Sequence, residues 1–121
     1  MKLTNNQMNI YAYALKKLFD KTEGKLSYVI SKNYRVMANE LQEYEEIRNQ
    51  IIEKYGDLDE ESGNYKLSIN SEGFKKFVED MKPYDDIECE VNILMLKPED
   101  LYSSTLTAQD ISDISFMIDD E

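Results

Sequence analysis

The sequence predicts an α+β fold: a long antiparallel helical hairpin packed with a small, two- to three-stranded antiparallel sheet and two short helices. Three observations carry it. Across residues 28–55, every third or fourth position reads Ile30, Tyr34, Met37, Leu41, Tyr44, Arg48, Ile51 and Tyr55, all apolar or aromatic except Arg48. No Gly or Pro interrupts that run, so it predicts one amphipathic helix of about eight turns, roughly 40 Å long at about 1.5 Å per residue. Residues 65–69 and 87–96 instead alternate apolar and polar side chains, the two-residue period of half-buried strands. At 121 residues with 41% hydrophobic content, the chain can bury a core without metals or disulfides, and one domain over 1–121 is the expectation.

The elements follow in order. Met1 to Leu3 reads only as an extended lead-in. Thr4 with Gln7 three residues on has the form of a capping box, so the first helix starts near Asn5. Its buried face is Met8, Tyr11, Leu15, Leu18 and Phe19, with Ala14 in support, while Lys16, Lys17 and Asp20 face water. Gly24 suits a C-terminal stop and Ser27 an N-cap for the long helix, and the short link between them predicts antiparallel neighbours. Gly56 ends the long helix, and residues 57–64 form a polar, acidic turn. After the strand at 65–69, Asn70 or Ser71 caps a helix over 72–81 that buries Phe74, Phe77, Val78 and Met81 and that Pro83 prevents from running far. Residues 87–96 form the strongest strand, with Ile87, Cys89, Val91, Ile93 and Met95 on one face and Glu88, Glu90 and Asn92 on the other. Its expected antiparallel partner is the strand at 65–69. Pro98-Glu99-Asp100 begins a helical turn. Thr107 with Asp110 caps a last helix, stapled by Leu106 and Ile111 and burying Ile111, Ile114, Met117 and Ile118 before the acidic end Asp119-Asp120-Glu121.

The net charge of −11 is unevenly spread. Residues 1–55 hold nine Lys or Arg against seven acids, and residues 56–121 hold five against eighteen. Such a balance disfavours direct nucleic-acid binding, which relies on neutralising phosphates with Lys and Arg, and suits docking on a basic protein surface. Cys89 is the lone cysteine, so no intramolecular disulfide forms and a reducing compartment is expected. No apolar run reaches membrane-span length, and MKLTNNQMN has no apolar signal-peptide segment, so the expected location is cytoplasmic, not secreted.

Catalytic chemistry finds few handles. Without histidine, the commonest general base and metal ligand is missing, and so is every Ser-His or Cys-His nucleophile pair. Glu40, Glu43, Glu46 and Glu53 on the long helix lie among polar neighbours and read as a solvated face. In the acidic turn the EF-hand spacing fails in either register: Gly63 at the sixth position puts Leu58 at the first, and Asp57 at the first puts Gly63 at the seventh. Arg48, at a core-type position, pairs with Glu45 or Glu46 or lays its stem over apolar surface. No catalytic, cofactor or metal residue is therefore assigned. Of nine tyrosines, Tyr13 lies out of register with its helix, and Tyr84 and Tyr102 fall in expected loops. These three are the candidate exposed contact residues, because tyrosine offers a large area with a polar tip. The candidate partner-binding set is Tyr13, Tyr84, Tyr102, Glu88, Glu90, Asp119 and Asp120.

Four stretches in this order, KLTNNQ with YAYAL, KLSYVISKNYR, IIEKYGDLDEESGNY and LTAQDISDISFMI, resemble a family of small proteins of tailed phages and prophages of Gram-positive bacteria. The resemblance spans nearly the whole chain and rests on patterning. Its departure is Tyr84-Asp85-Asp86, where the family pattern continues as plainer helix. It implies a setting, the cytoplasm of an infected host, and no reaction. The expected function is then a non-enzymatic accessory protein that binds a host or phage protein, with inhibition of a host defence protein through the acidic surface as its specific form. The alternative is a structural or assembly module that forms a homo-oligomer through the long helix.

Overall fold

The structure, a computed structural model, describes residues 1–119. Among these the chain is α+β, with five α-helices and two antiparallel sheets of two strands each. Its contacts divide it into two compact units: residues 1–41 with the chain from Glu88 onward, and residues 42–87.

The first unit opens with β1 (Lys2–Thr4) and α1 (Asn5–Lys16). The capping box holds: Gln7 N–H donates to Thr4 Oγ1 at 3.0 Å and Thr4 N–H to Gln7 Oε1 at 2.9 Å. α1 packs against α2 (Gly24–Glu40), with Met8, Ala12, Leu15, Leu18, Leu26, Val29, Ile30 and Met37 buried. Tyr11 stacks on Phe116 at 3.9 Å between ring centroids, and Phe19 meets Tyr34 edge-on at 5.1 Å. α1 stops at Lys16, short of the expected Gly24, and a 3-10 turn at Phe19–Lys21 follows. Gly24 therefore opens α2 and Ser27 lies inside it. At the far end, α5 (Ala108–Asp113) is capped reciprocally by Thr107 and Asp110, as expected, and Ile114 and Met117 are fully buried.

The strand pairings differ from expectation. β4 covers only Glu88–Glu90 and pairs with β1, placing Leu3 opposite Cys89, and not with residues 65–69. Beyond it, backbone groups of the 91–96 stretch find partners other than a neighbouring strand. Val91 N–H donates to the Met1 carbonyl at 2.9 Å. Leu94 donates to Asn33 Oδ1 at 2.9 Å and accepts from Asn33 Nδ2 at 3.0 Å. Leu96 forms a parallel bridge with Ile118. A side-chain amide carries the same donor and acceptor as a peptide, so Asn33 takes the place of a neighbouring strand. The chain from 89 to 100 thus runs antiparallel to α2: Cys89 faces Glu40, Leu94 pairs with Asn33 and Asp100 bonds Lys25 at 3.1 Å.

The long helix is interrupted. α2 ends at Glu40, Leu41 caps it at φ −83°, ψ −1°, and α3 (Gln42–Tyr55) begins afresh. Two cores claim adjacent stretches: Leu41 is buried in the first unit and Tyr44 in the second. The spacing Met37, Leu41, Tyr44 is still i+4 then i+3, so the apolar pattern runs through the interruption without registering it.

The second unit is α3, a hairpin of β2 (Asp57–Leu58) and β3 (Tyr65–Lys66), and α4 (Glu72–Asp85). The strand expected at 65–69 is thus two residues long and its partner is β2, with Leu58 opposite Tyr65. Asp59 organises the loop, accepting from Glu61 N–H at 3.2 Å, from Ser62 Oγ at 3.1 Å and from Lys66 Nζ at 3.0 Å. The Lys66 ammonium above all, then those N–H and O–H donors, hold its carboxyl below the usual carboxylate range. Ser71 caps α4 through Phe74 N–H at 3.1 Å. α4 then runs through Pro83 to Asp85, four residues past the expected end. Proline there removes only the N–H that would reach Glu79, an exposed residue whose carbonyl water can satisfy.

Candidate functional site

α3 and α4 run antiparallel. Tyr44, near the start of α3, donates to Asp85 Oδ1 at 2.5 Å near the end of α4, while the Tyr55 backbone lies against Gly73 at the start of α4. The Tyr55 hydroxyl reaches along α4 to Asp80 Oδ2 at 2.7 Å. Burial, and then the Asp85 carboxylate, push the Tyr44 phenol well above its ordinary value of 10.0. A raised value means that the folded chain keeps the proton that an unfolded chain releases. The stabilisation is therefore complete below about pH 10 and is lost progressively as pH rises from there towards the folded value. Tyr44→Phe is expected to cost about 1.5–3 kcal/mol at neutral pH, the scale of a hydrogen bond to a charged acceptor, and to flatten the decline in stability above pH ~10. Urea melts of parent and variant across that range check both.

The second unit is where charge is densest. Its 46 residues hold thirteen acids against six Lys or Arg, a net charge of −7. Of its described residues only Tyr44 and Met81 are buried. Phe74 and Phe77 are half-buried with ring centroids 6.1 Å apart, and Leu58, Tyr65, Ile69 and Val78 are exposed. The acidic surface of this unit is thus interspersed with exposed apolar side chains.

Two clefts differ in how their charges are used. One, about 460 Å³, lies in the first unit between the start of α2 and residues 100–105. Its lysines are paired: Lys21 with Asp110 at 3.4 Å and Lys25 with Asp100 at 3.1 Å. Both carboxyls are held below the usual range, chiefly by the backbone N–H groups of Thr107 and Lys97 respectively, with the lysines adding to this. The Thr22, Ser104 and Thr105 hydroxyls donate to carbonyls of the fold itself. Among the described residues, Glu23 is the one charged lining group here whose side chain makes no hydrogen bond or ion pair.

The second cleft, about 360 Å³, lies between α3 and the β2–β3 hairpin, lined by Asn49, Ile52, Glu53, Gly63, Asn64 and Tyr65. Asn49, Ile52 and Glu53 stand at i, i+3 and i+4 on one face of α3. Gly56 lets the hairpin reach them. A Cβ there would stand 2.7 Å from the Ile52 carbonyl oxygen and 2.8 Å from that of Lys66, so β3 closes against the end of α3 where a side chain is missing. Among the described residues, the side chains of Asn49, Glu53, Asn64 and Tyr65 make no hydrogen bond or ion pair. The neighbouring lysines point their charge elsewhere, Lys54 to Asp80 at 4.0 Å and Lys66 to Asp59 at 3.0 Å.

The candidate residues from the sequence are not gathered into one site. Tyr13 and Tyr102 are 66% and 81% exposed, as expected, with Lys17 Nζ 4.6 Å from the Tyr13 ring centre. Tyr84 corrects the expectation: it lies on α4, not in a loop, and is half-buried. Glu88 and Glu90 share the outward face of β4, with Glu90 held at 2.8 Å by the Met1 amino group. Tyr102 follows Asp100 at the Lys25 end of α2, whereas Glu88 and Glu90 flank Cys89 at its Glu40 end, roughly 22 Å away along the helix. Asp119 is exposed, and its N–H donates to the Leu96 carbonyl at 2.7 Å. Asp120 lies outside the described residues. Arg48 pairs with Glu45 at 3.7 Å. Cys89 is half-buried, and burial with the adjacent Glu40 carboxylate raises its thiol, which keeps it protonated and poorly nucleophilic. The cleft residues Asn49, Asn64 and Tyr65 carried no signal in the sequence, and Glu53 read as one more solvated carboxylate.

Among the described residues no group of three or more acidic or cysteine side chains is placed to hold a metal ion, and no helix is long and apolar enough to cross a membrane. Comparison with known proteins finds no match, whether to a family model, a curated protein or a solved structure.

Proposed function

We propose that the protein acts by binding, docking its acidic surface on a basic surface of a macromolecular partner. The observation that carries this reading is the second unit, where a net charge of −7 in 46 residues coincides with exposed Leu58, Tyr65, Ile69 and Val78. Acidic complementarity steers a basic partner into contact, and the apolar side chains then hold it. The resemblance described above supplies the setting: a phage-encoded accessory protein in the cytoplasm of a Gram-positive host, inhibiting a host defence protein by covering its basic surface. Assembly through the long helix is the weaker reading. Leu26, Val29, Ile30, Met37, Leu41 and Tyr44 are buried within their own units, and the helix is broken at Leu41, so no continuous seam is left for a coiled coil.

Tagged full-length protein, used for capture from lysate of infected host cells at low and high salt, tests this. The expected result is one host protein with a basic surface, recovered at low salt and lost at high salt. Recovery of phage structural proteins alone, resistant to salt, overturns it in favour of the assembly role.

A further inference from the structure

We infer that the cleft between α3 and the β2–β3 hairpin seats an arginine side chain presented by the partner, an inference that rests on the docking function proposed above. Three features point there. Among the described residues, the cleft's one charged lining group is the carboxylate of Glu53, and no cation pairs with it. The wider surroundings are negative too, since residues 53–61 hold five acids and one lysine. Asp59 is already occupied by Lys66, and Lys54 by Asp80, so neither neighbouring lysine is drawn to the Glu53 carboxylate.

The rest of the lining suits a guanidinium. Tyr65 supplies an aromatic face, on which a planar cation stacks. The carboxylate of Glu53 takes paired N–H donors, and the amide oxygens of Asn49 and Asn64 take the remaining ones. Ile52 offers apolar surface to the methylene stem. The volume of about 360 Å³ sits at the small end of ligand clefts and has room for one long side chain. The cleft at the start of α2 is larger, but its lining sets two lysines, Lys21 and Lys25, against two carboxylates, Glu23 and Asp100, so it offers a cation no net negative charge.

The test uses the full chain, ¹⁵N-labelled, and two short capped peptides, Gly-Ser-Arg-Ser-Gly and its counterpart with neutral citrulline for arginine. The arginine peptide is expected to shift the amide signals of Asn49, Ile52, Glu53, Asn64 and Tyr65 in a saturable way, and the citrulline peptide to leave them in place. Glu53→Gln and Tyr65→Ser are each expected to weaken the arginine peptide at least fivefold. The Glu53 side chain is exposed and, among the described residues, makes no hydrogen bond or ion pair, so Glu53→Gln keeps the thermal melt of the parent. Salt-sensitive binding spread evenly over the acidic residues, with Glu53→Gln as tight as the parent, overturns the cleft while leaving the docking function standing. A parent chain that binds neither this peptide nor hexa-arginine at low salt overturns both.

Discussion

Asn33→Leu is expected to lower the stability of the chain by about 2–5 kcal/mol, the largest loss we foresee from a single substitution of similar size. Asn33 is fully buried, at 0% exposure on the inner face of α2. Its amide donates to the Leu94 carbonyl and accepts from the Leu94 N–H, and Nδ2 also lies 3.5 Å from Met117 Sδ. Leucine removes both bonds and leaves two part-buried backbone groups without partners, each costing about 1–3 kcal/mol. The apolar gain of about 1.5–3 kcal/mol for burying leucine offsets part of this only if the side chain fits a site shaped for an amide, and overpacking works against that fit. Chemical denaturation measures the total. Amide exchange at Leu94 isolates the cause, because its N–H is expected to be protected in the parent and to exchange freely in the variant. A variant as stable as the parent, with Leu94 still protected, would show that the 91–96 segment is held by its neighbours and not by Asn33.

Asn33 also marks the boundary of what the sequence discloses. Its place on the buried stripe follows from the spacing of Leu26, Ile30 and Met37, but its partner lies 61 residues away and leaves no local trace. Features closed within a few residues were legible. The caps at Thr4, Ser71 and Thr107 each depend on a hydroxyl and an N–H three residues on; Thr4 and Thr107 form as read, and of the two candidates Asn70 and Ser71 it is Ser71 that caps. Features closed across the chain were not. Alternation marks a stretch as able to extend without naming its neighbour, so it does not reveal that 65–66 pair with β2 close by or that 88–90 pair with β1 at the other end of the chain. Leu41 escaped for a related reason: periodicity reports which face is apolar, and two helices in succession can present the same face. Tyr84 follows a proline, which in sequence reads as a helix stop, but so near the helix end Pro83 removes a single N–H and α4 continues to Asp85. The cleft was invisible because it is made by what Gly56 lacks.

Gly56→Ala is expected to destabilise the second unit by about 1–3 kcal/mol and to abolish the cleft with it. Elsewhere such a change stabilises by about 0.4–1 kcal/mol, since alanine has fewer unfolded conformations to lose. Here the space decides the sign. The new Cβ would meet two carbonyl oxygens, at 2.7 and 2.8 Å, and both are backbone, so neither yields by rotating a side chain. Relief requires the last turn of α3 to loosen at Ile52 and β3 to move off the end of α3, which draws Tyr65 away from Ile52 and Glu53 and opens the cleft. The predicted pattern is therefore specific to one unit. Signals from residues 42–87 broaden or shift and the arginine peptide loses its affinity, while protection at Leu94 and the α1–α2 core stays as in the parent. Gly73→Ala, whose Cβ would stand 2.7 Å from the Tyr55 carbonyl oxygen, is expected to loosen the same unit from its other side. An alanine at Gly56 that raised stability and kept peptide binding would mean that the hairpin can shift without losing its grip on α3, and the cleft would then owe its shape to the loop at 59–64 instead.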